Sequence, residues 1–180
     1  MLRFIIPIGL FVTLVVFLAI GLRRDKETLP SPLIGKPAPQ FELPRVDDTS
    51  QKFSNRELAG KPYVVNIWGS WCVACREEHE TLMKIAQRGE IPLVGLNWKD
   101  ELPLAQRWLQ ALGNPYLVSA FDPEGNVGID WGAYGAPETF LVDARGIIIY
   151  KFVSPMTIEV WEREFLPRIE KSGQNGAKGE

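Results

Sequence analysis

Tyr63-Val64-Val65-Asn66-Ile67-Trp68-Gly69-Ser70-Trp71-Cys72-Val73-Ala74-Cys75-Arg76-Glu77-Glu78-His79 is the stretch that decides the fold. Tyr63 to Trp68 is β-branched or aromatic at every position but Asn66, the mark of a strand buried on both faces of a sheet. After the turn Gly69-Ser70-Trp71, Cys72 opens a charged segment with Leu82, Ile85 and Ala86 at helical spacing and Gly89 as its stop. Cys72 and Cys75 are the two cysteines of the 180-residue sequence, so the pair predicts a reversible dithiol/disulfide couple. The unpaired N–H groups of a helix start favour negative charge, which predicts a Cys72 thiol pKa below about 8.5. Cys75, one turn on, is expected to face the interior; Cys72 is then the attacking sulfur and Cys75 the resolving one. Val73-Ala74 holds neither Pro nor His to over-stabilise a thiolate, which predicts a reductant rather than a strong oxidant.

Competing explanations of the pair are weaker. A static Cys72–Cys75 disulfide closes too small a loop to remove much unfolded-state entropy. Zinc calls for four ligands, and Cys72, Cys75 and His79 supply at most three. A copper relay on the same three residues is the stronger rival, because thiolates with imidazole suit copper. Nothing else in the sequence calls for a metal or a cofactor.

Upstream, Phe41-Glu42-Leu43 and Lys52-Phe53 predict a short hairpin about Asp47-Asp48-Thr49-Ser50, then a capped turn from Ser54 to Leu58. Downstream, Pro92 to Trp98 is a second buried strand, and Leu102 to Leu112 a helix ended by Gly113-Asn114-Pro115. Asp122 to Gly125 is a turn. Glu138 to Val142 and Gly146 to Phe152 are strands about the turn Asp143-Ala144-Arg145-Gly146, and Thr157 caps a last helix to about Lys171. The order predicts a βαβ crossover followed by an antiparallel hairpin.

Phe4 to Leu22 carries no charge, and its 19 residues are long enough to cross a hydrocarbon core of roughly 30 Å. The segment suits either a signal cleaved near Ala19-Ile20-Gly21 or a retained anchor; its length and the closing Arg23-Arg24 favour the anchor. Arg23, Arg24 and Lys26 outnumber Arg3, so the positive-inside rule points the wrong way for an exported domain. The expected organisation is an anchor over 1–24, a Pro-rich tether over 25–39, a domain over 40–171 and a flexible tail over 172–180. Apolar residues make up 46% of the sequence, enough to bury a core. Residues 25–180 hold 17 basic and 22 acidic side chains, a net charge of about −5 that argues against nucleic-acid binding.

The quoted stretch, together with Gly135-Ala136-Pro137-Glu138-Thr139-Phe140 and Ile34-Gly35-Lys36-Pro37-Ala38-Pro39, resembles the DsbE/CcmG family, thioredoxin-like thiol:disulfide interchange proteins of c-type cytochrome maturation. The likeness runs from about Ile34 to the last helix. It implies an α/β thioredoxin-like fold: a mixed central sheet flanked by helices, with an N-terminal β-hairpin extension and one N-terminal transmembrane helix. Pro137 matches the cis-proline that presents backbone to a bound client, Trp71 matches a residue beside the sulfurs, and Glu78 and Glu138 match acids near the site. The implied activity is reduction of the apocytochrome c haem-attachment segment from the periplasmic face of the inner membrane. A membrane thiol carrier would recharge the pair, because the periplasm supplies no glutathione buffer. One departure stands out: general thioredoxins bury an acid two residues before the strand Trp, where this chain has Asn66.

Overall fold

The computed structural model describes the backbone of residues 2–22 and 31–176, with side chains over 6–18 and 31–172. Helix α1 (Leu2–Leu22) carries the charge-free segment, and its side chains from Ile6 to Leu18 are exposed. That stretch rises about 20 Å. Among the described residues, no helix is long and apolar enough to cross a membrane.

The sheet forms from the runs of buried residues. β3 (Tyr63–Trp68), β4 (Leu93–Trp98), β5 (Val118–Asp122), β6 (Glu138–Val142) and β7 (Ile148–Phe152) lie in the order β5-β4-β3-β6-β7. β3 is parallel to β4 and β4 to β5, while β6 runs antiparallel to both β3 and β7, so the sheet is mixed. The crossover between β3 and β4 is α2 (Val73–Arg88), closed by Gly89 at φ 64° in the left-handed region that an L side chain resists. The crossover between β4 and β5 is α3 (Leu102–Leu112). β5 was not among the expected strands; Leu117-Val118-Ser119-Ala120-Phe121 mixes small and polar residues and is held by pairing to β4.

Alternation along β3 splits the core in two. Val64 and Trp68 join Cys72, Cys75, Leu82, Trp108, Trp161 and Phe165 on one face. Val65 and Ile67 join Phe41, Leu96, Trp131 and Phe140 on the other. The hairpin strands β1 (Glu42–Pro44) and β2 (Lys52–Ser54) pair antiparallel, and Ser54 with Glu57 builds a reciprocal capping box on the 3₁₀ turn Asn55–Leu58.

Both sheet edges are covered, as exposed edges invite aggregation. Arg45 bridges Ala120 and the Val46 N–H donates to the Ser119 carbonyl along β5. On β7, the Gly35 N–H donates to the Ile148 carbonyl, the Ala38 N–H to that of Gly146, and the Ile148 N–H to that of Lys36. Residues 35–38 therefore belong to the domain and not to a free tether; of the rest of that expected tether, 25–30 lie outside the described residues. At the other end, α5 (Ile158–Val160), a π-helical turn (Trp161–Phe165) and α6 (Leu166–Gly176) follow the Thr157 cap. α6 passes the expected stop at Lys171: Ser172 is buried and its hydroxyl donates to the Ile169 carbonyl. Residues 177–180 of the expected tail are outside the described part.

Gly95 in β4 has no room for a side chain. A Cβ there would fall 2.7 Å from Ser119 Oγ, 2.8 Å from Trp68 Nε1 and 2.9 Å from the Tyr116 ring. Gly95→Ala is therefore expected to lower stability by about 1–3 kcal/mol through overpacking and loss of the Trp68–Ser119 hydrogen bond. The midpoint of denaturant unfolding reads the effect.

Candidate active site

β3 delivers the chain to the end of the sheet, where Gly69-Ser70-Trp71 turns it into α2. Cys72 is the N-cap of α2, with extended backbone, and its Sγ accepts the Cys75 N–H at 3.0 Å. The two sulfurs are bonded, S–S 2.04 Å, with their Cα atoms 5.2 Å apart. Cys72 is 4% exposed and Cys75 3%. Both residues are buried in this oxidised form, and what sets Cys72 apart is its N-cap position.

Asp100 holds the turn before the pair. It accepts from the Ser70 N–H and the Ser70 hydroxyl, each at 2.6 Å, from Asn97 Nδ2 at 2.8 Å and from the Glu101 N–H at 2.8 Å. Gly69 must be glycine because the Trp71 indole lies on it, and a Cβ there would be 2.5 Å from Trp71 Nε1. Trp71 is half exposed and donates to the Trp98 carbonyl at 3.2 Å. It is thus not a core aromatic; its indole lies over Gly69 and its ring centre is 6.4 Å from that of Trp98. Beside it opens a cleft of about 420 Å³, lined in part by Arg76, Lys99, Leu104, Arg107 and Trp108.

One turn past Cys75 along α2, Glu78 enters a buried polar network. Glu78 is 1% exposed; its Oε1 accepts from Asn66 Nδ2 at 2.8 Å and its Oε2 from the Met156 N–H at 2.7 Å. Asn66 also donates to Thr139 Oγ1 and accepts from the Tyr116 hydroxyl at 2.7 Å. Burial pushes the Glu78 carboxyl up to about 7, against the two hydrogen bonds, which favour ionisation. Burial also raises the Tyr116 phenol, helped by the Glu78 charge. The position that departs from general thioredoxins is thus a neutral amide linking a carboxyl to a phenol.

Pro137 follows a cis Ala136–Pro137 bond at the head of β6. The antiparallel register sets Glu138 opposite Ile67, so the head of β6 lies beside the tail of β3, where the cysteine turn begins. Glu138 itself is on the far face of the sheet from Glu78. Its Oε1 accepts the N–H groups of Tyr134 and Gly135, and its Oε2 lies 2.8 Å from Lys151 Nζ. His79 is engaged elsewhere: Nε2 faces the Gly113 carbonyl at 3.1 Å and Nδ1 accepts from Trp108 Nε1 at 3.3 Å. Both ring nitrogens are committed, which removes the imidazole from the copper set with Cys72 and Cys75. Among the described residues, no three His, Cys, Asp or Glu side chains group as metal ligands.

Comparison with known proteins agrees with this geometry. Residues 33–165 match the Redoxin family model. The chain is 47% identical over 169 residues to the thiol:disulfide interchange protein DsbE of Allochromatium vinosum, covering 94% of this chain and 93% of the relative. The chain belongs to the DsbE family of thiol:disulfide interchange proteins. The Pseudomonas aeruginosa DsbE is 45% identical over 93% of this chain and 92% of its own. A secreted thiol-disulfide isomerase from Corynebacterium glutamicum shares the fold at TM-score 0.69 and 19% identity, covering 82% of this chain and 94% of that one. As a DsbE-family thiol:disulfide oxidoreductase with a thioredoxin-like fold, the protein exchanges disulfides with protein partners. Asp100, Tyr116, Met156 and Lys151 complete the surroundings and were not singled out from sequence. Only Lys151 left a signal there, a charge inside the apolar run Ile147 to Phe152.

Proposed function

We propose that the protein reduces the disulfide of the apocytochrome c haem-attachment segment before haem is joined to it, at the periplasmic face of the inner membrane. The observation that carries this is the Cys72–Cys75 pair at the start of α2, with the Ala136–Pro137 loop at the adjoining end of β6. The Cys72 thiolate of the reduced protein attacks one client sulfur and expels the other as a thiolate, forming a mixed disulfide. Cys75 then attacks Cys72 Sγ and releases the second client thiolate. Two electrons pass to the client, and the Cys72–Cys75 bond forms as the client bond is lost. Cys75 must shed a proton to attack, and Glu78, one turn further along α2 with a carboxyl near 7, is the group to receive it. The proton then passes to the departing client thiolate. Trp71 and Pro137 border the pair, while Glu138 holds the loop that leads to Pro137.

A membrane thiol carrier returns the electrons. The lipid bilayer is the third partner, met through residues 1–24: the segment from Phe4 to Leu22 is free of charge, and the apolar side chains of α1 from Ile6 to Leu18 are exposed. Residues 25–34 would then link this anchor to the domain.

The test uses the full chain, reduced, in detergent. An oxidised peptide carrying Cys-x-x-Cys-His is expected to be reduced at least about tenfold faster than unrelated disulfide proteins, a difference of ~1.4 kcal/mol in transition-state binding. Equal rates would contradict the client assignment while leaving the oxidoreductase intact.

A further inference from the structure

Among the described ion pairs, Lys151–Glu138 is the one sealed from water on both sides, with side-chain exposures of 4% and 0%. Taking two charges out of water is costly, so a pair kept in such a place invites the question of what it holds. Glu138 Oε1 accepts from the Tyr134 N–H at 3.0 Å and the Gly135 N–H at 3.1 Å. Glu138 Oε2 is left without an aligned hydrogen-bond donor and meets Lys151 by charge alone. Lys151 Nζ donates instead to the Gly132 carbonyl at 2.9 Å and sits 4.5 Å from the centre of the exposed Tyr134 ring. Residues 132–135 are therefore tied at three main-chain points to one buried pair. The next peptide is the cis Ala136–Pro137 bond.

We infer that Lys151 is a positioning residue: through Glu138 it fixes the Gly132–Gly135 loop so that the Ala136 main chain stands ready for a client. The N–H groups of Gly132, Ala133, Tyr134 and Gly135 are all taken, by Ile129, Gly128 and Glu138, so the first free N–H of the loop is that of Ala136. The Ala136 N–H and C=O have no partner among the described residues. Two consequences follow. The pair lies on the opposite face of the sheet from the disulfide, so it acts on client docking and leaves the sulfurs' chemistry alone. Its geometric demand is for an oxygen acceptor at residue 138 and for neutralisation of the charge there. The inference rests on the proposed docking of a protein client against residues 135–137.

The test compares two substrates and the reduction potential, using reduced full-length protein. In Lys151→Met the rate with the Cys-x-x-Cys-His peptide is expected to fall about tenfold, the scale of a slightly misplaced docking group, while the rate with hydroxyethyl disulfide and the potential stay put. Lys151→Met with Glu138→Gln, which keeps an acceptor and removes the charge, should recover the peptide rate to within about threefold. Lys151→Met with Glu138→Leu, equally neutral but without an acceptor, should not, and this contrast holds even if Lys151→Met alone does not fold. Equal peptide rates in the Gln and Leu variants, or a parallel fall with both substrates, would overturn the inference. A wild-type protein that reduces hydroxyethyl disulfide but not the peptide would sink the client reading itself, and this inference with it.

Discussion

Stability is expected to fall by roughly 3 kcal/mol between pH 4.5 and about 7, and to lose that slope in Glu78→Gln. The cause is the buried carboxyl one turn past Cys75, raised from its ordinary 4.5 to about 7 by desolvation. Below pH 4.5 both the folded and the unfolded chain carry the proton, and Glu78 contributes no pH dependence. Above it the unfolded chain gains by ionising while the folded one cannot follow until about pH 7. Stability therefore declines through that window and levels off beyond it, at about 1.4 kcal/mol per unit of raised pKa. His79 acts in the opposite sense: burial lowers it from 6.5, so its contribution is lost as the pH falls. The difference between wild type and variant, taken from denaturant midpoints at several pH values, cancels the His79 effect. A side-chain amide can keep both contacts if Asn66 turns over, since Tyr116 both donates and accepts. A flat difference from pH 5 to pH 8 would show that Glu78 ionises normally and is no proton store.

Much of this molecule can be read from local sequence, because local physics decides it. The strand Tyr63–Trp68, the helix from Val73 with Gly89 behind it, and the hairpin about Asp143 to Gly146 follow from periodicity and turn chemistry. The cysteine at the helix start follows as well. What escaped depends on partners far along the chain. β5 exists because β4 offers it an edge, and residues 35–38 are ordered because β7 does. Trp71 is half exposed because its indole lies over Gly69, which leaves room for it by having no side chain, a contact local sequence does not announce. Glu78 and Glu138 look equivalent as acids near the site. Glu78 comes from α2 on one face of the sheet and the pleat of β6 turns Glu138 to the other, the first to an amide and a main-chain N–H, the second to an ion pair. Lys151, Asp100 and Met156 gain their meaning only from these long-range contacts.

Replacing Cys72 by Ser is expected to abolish disulfide exchange down to the background rate, whereas replacing Cys75 by Ser should stop the reaction halfway. Burial of the two residues gives no basis for the asymmetry, since Cys72 is 4% exposed and Cys75 3%. The N-cap does: Cys72 Sγ already accepts the Cys75 N–H, and the first turn of α2 presents further unpaired N–H groups to a thiolate at that point. Cys75 lies within the helix, where its sulfur can reach Cys72 but has no such donors. The most direct test is intact mass, under non-reducing conditions, of each serine variant mixed with an oxidised Cys-x-x-Cys-His peptide. Cys75→Ser should carry one peptide, disulfide-bonded to Cys72, and Cys72→Ser none. An adduct on Cys75 in the Cys72→Ser protein, or none in Cys75→Ser, would contradict the account.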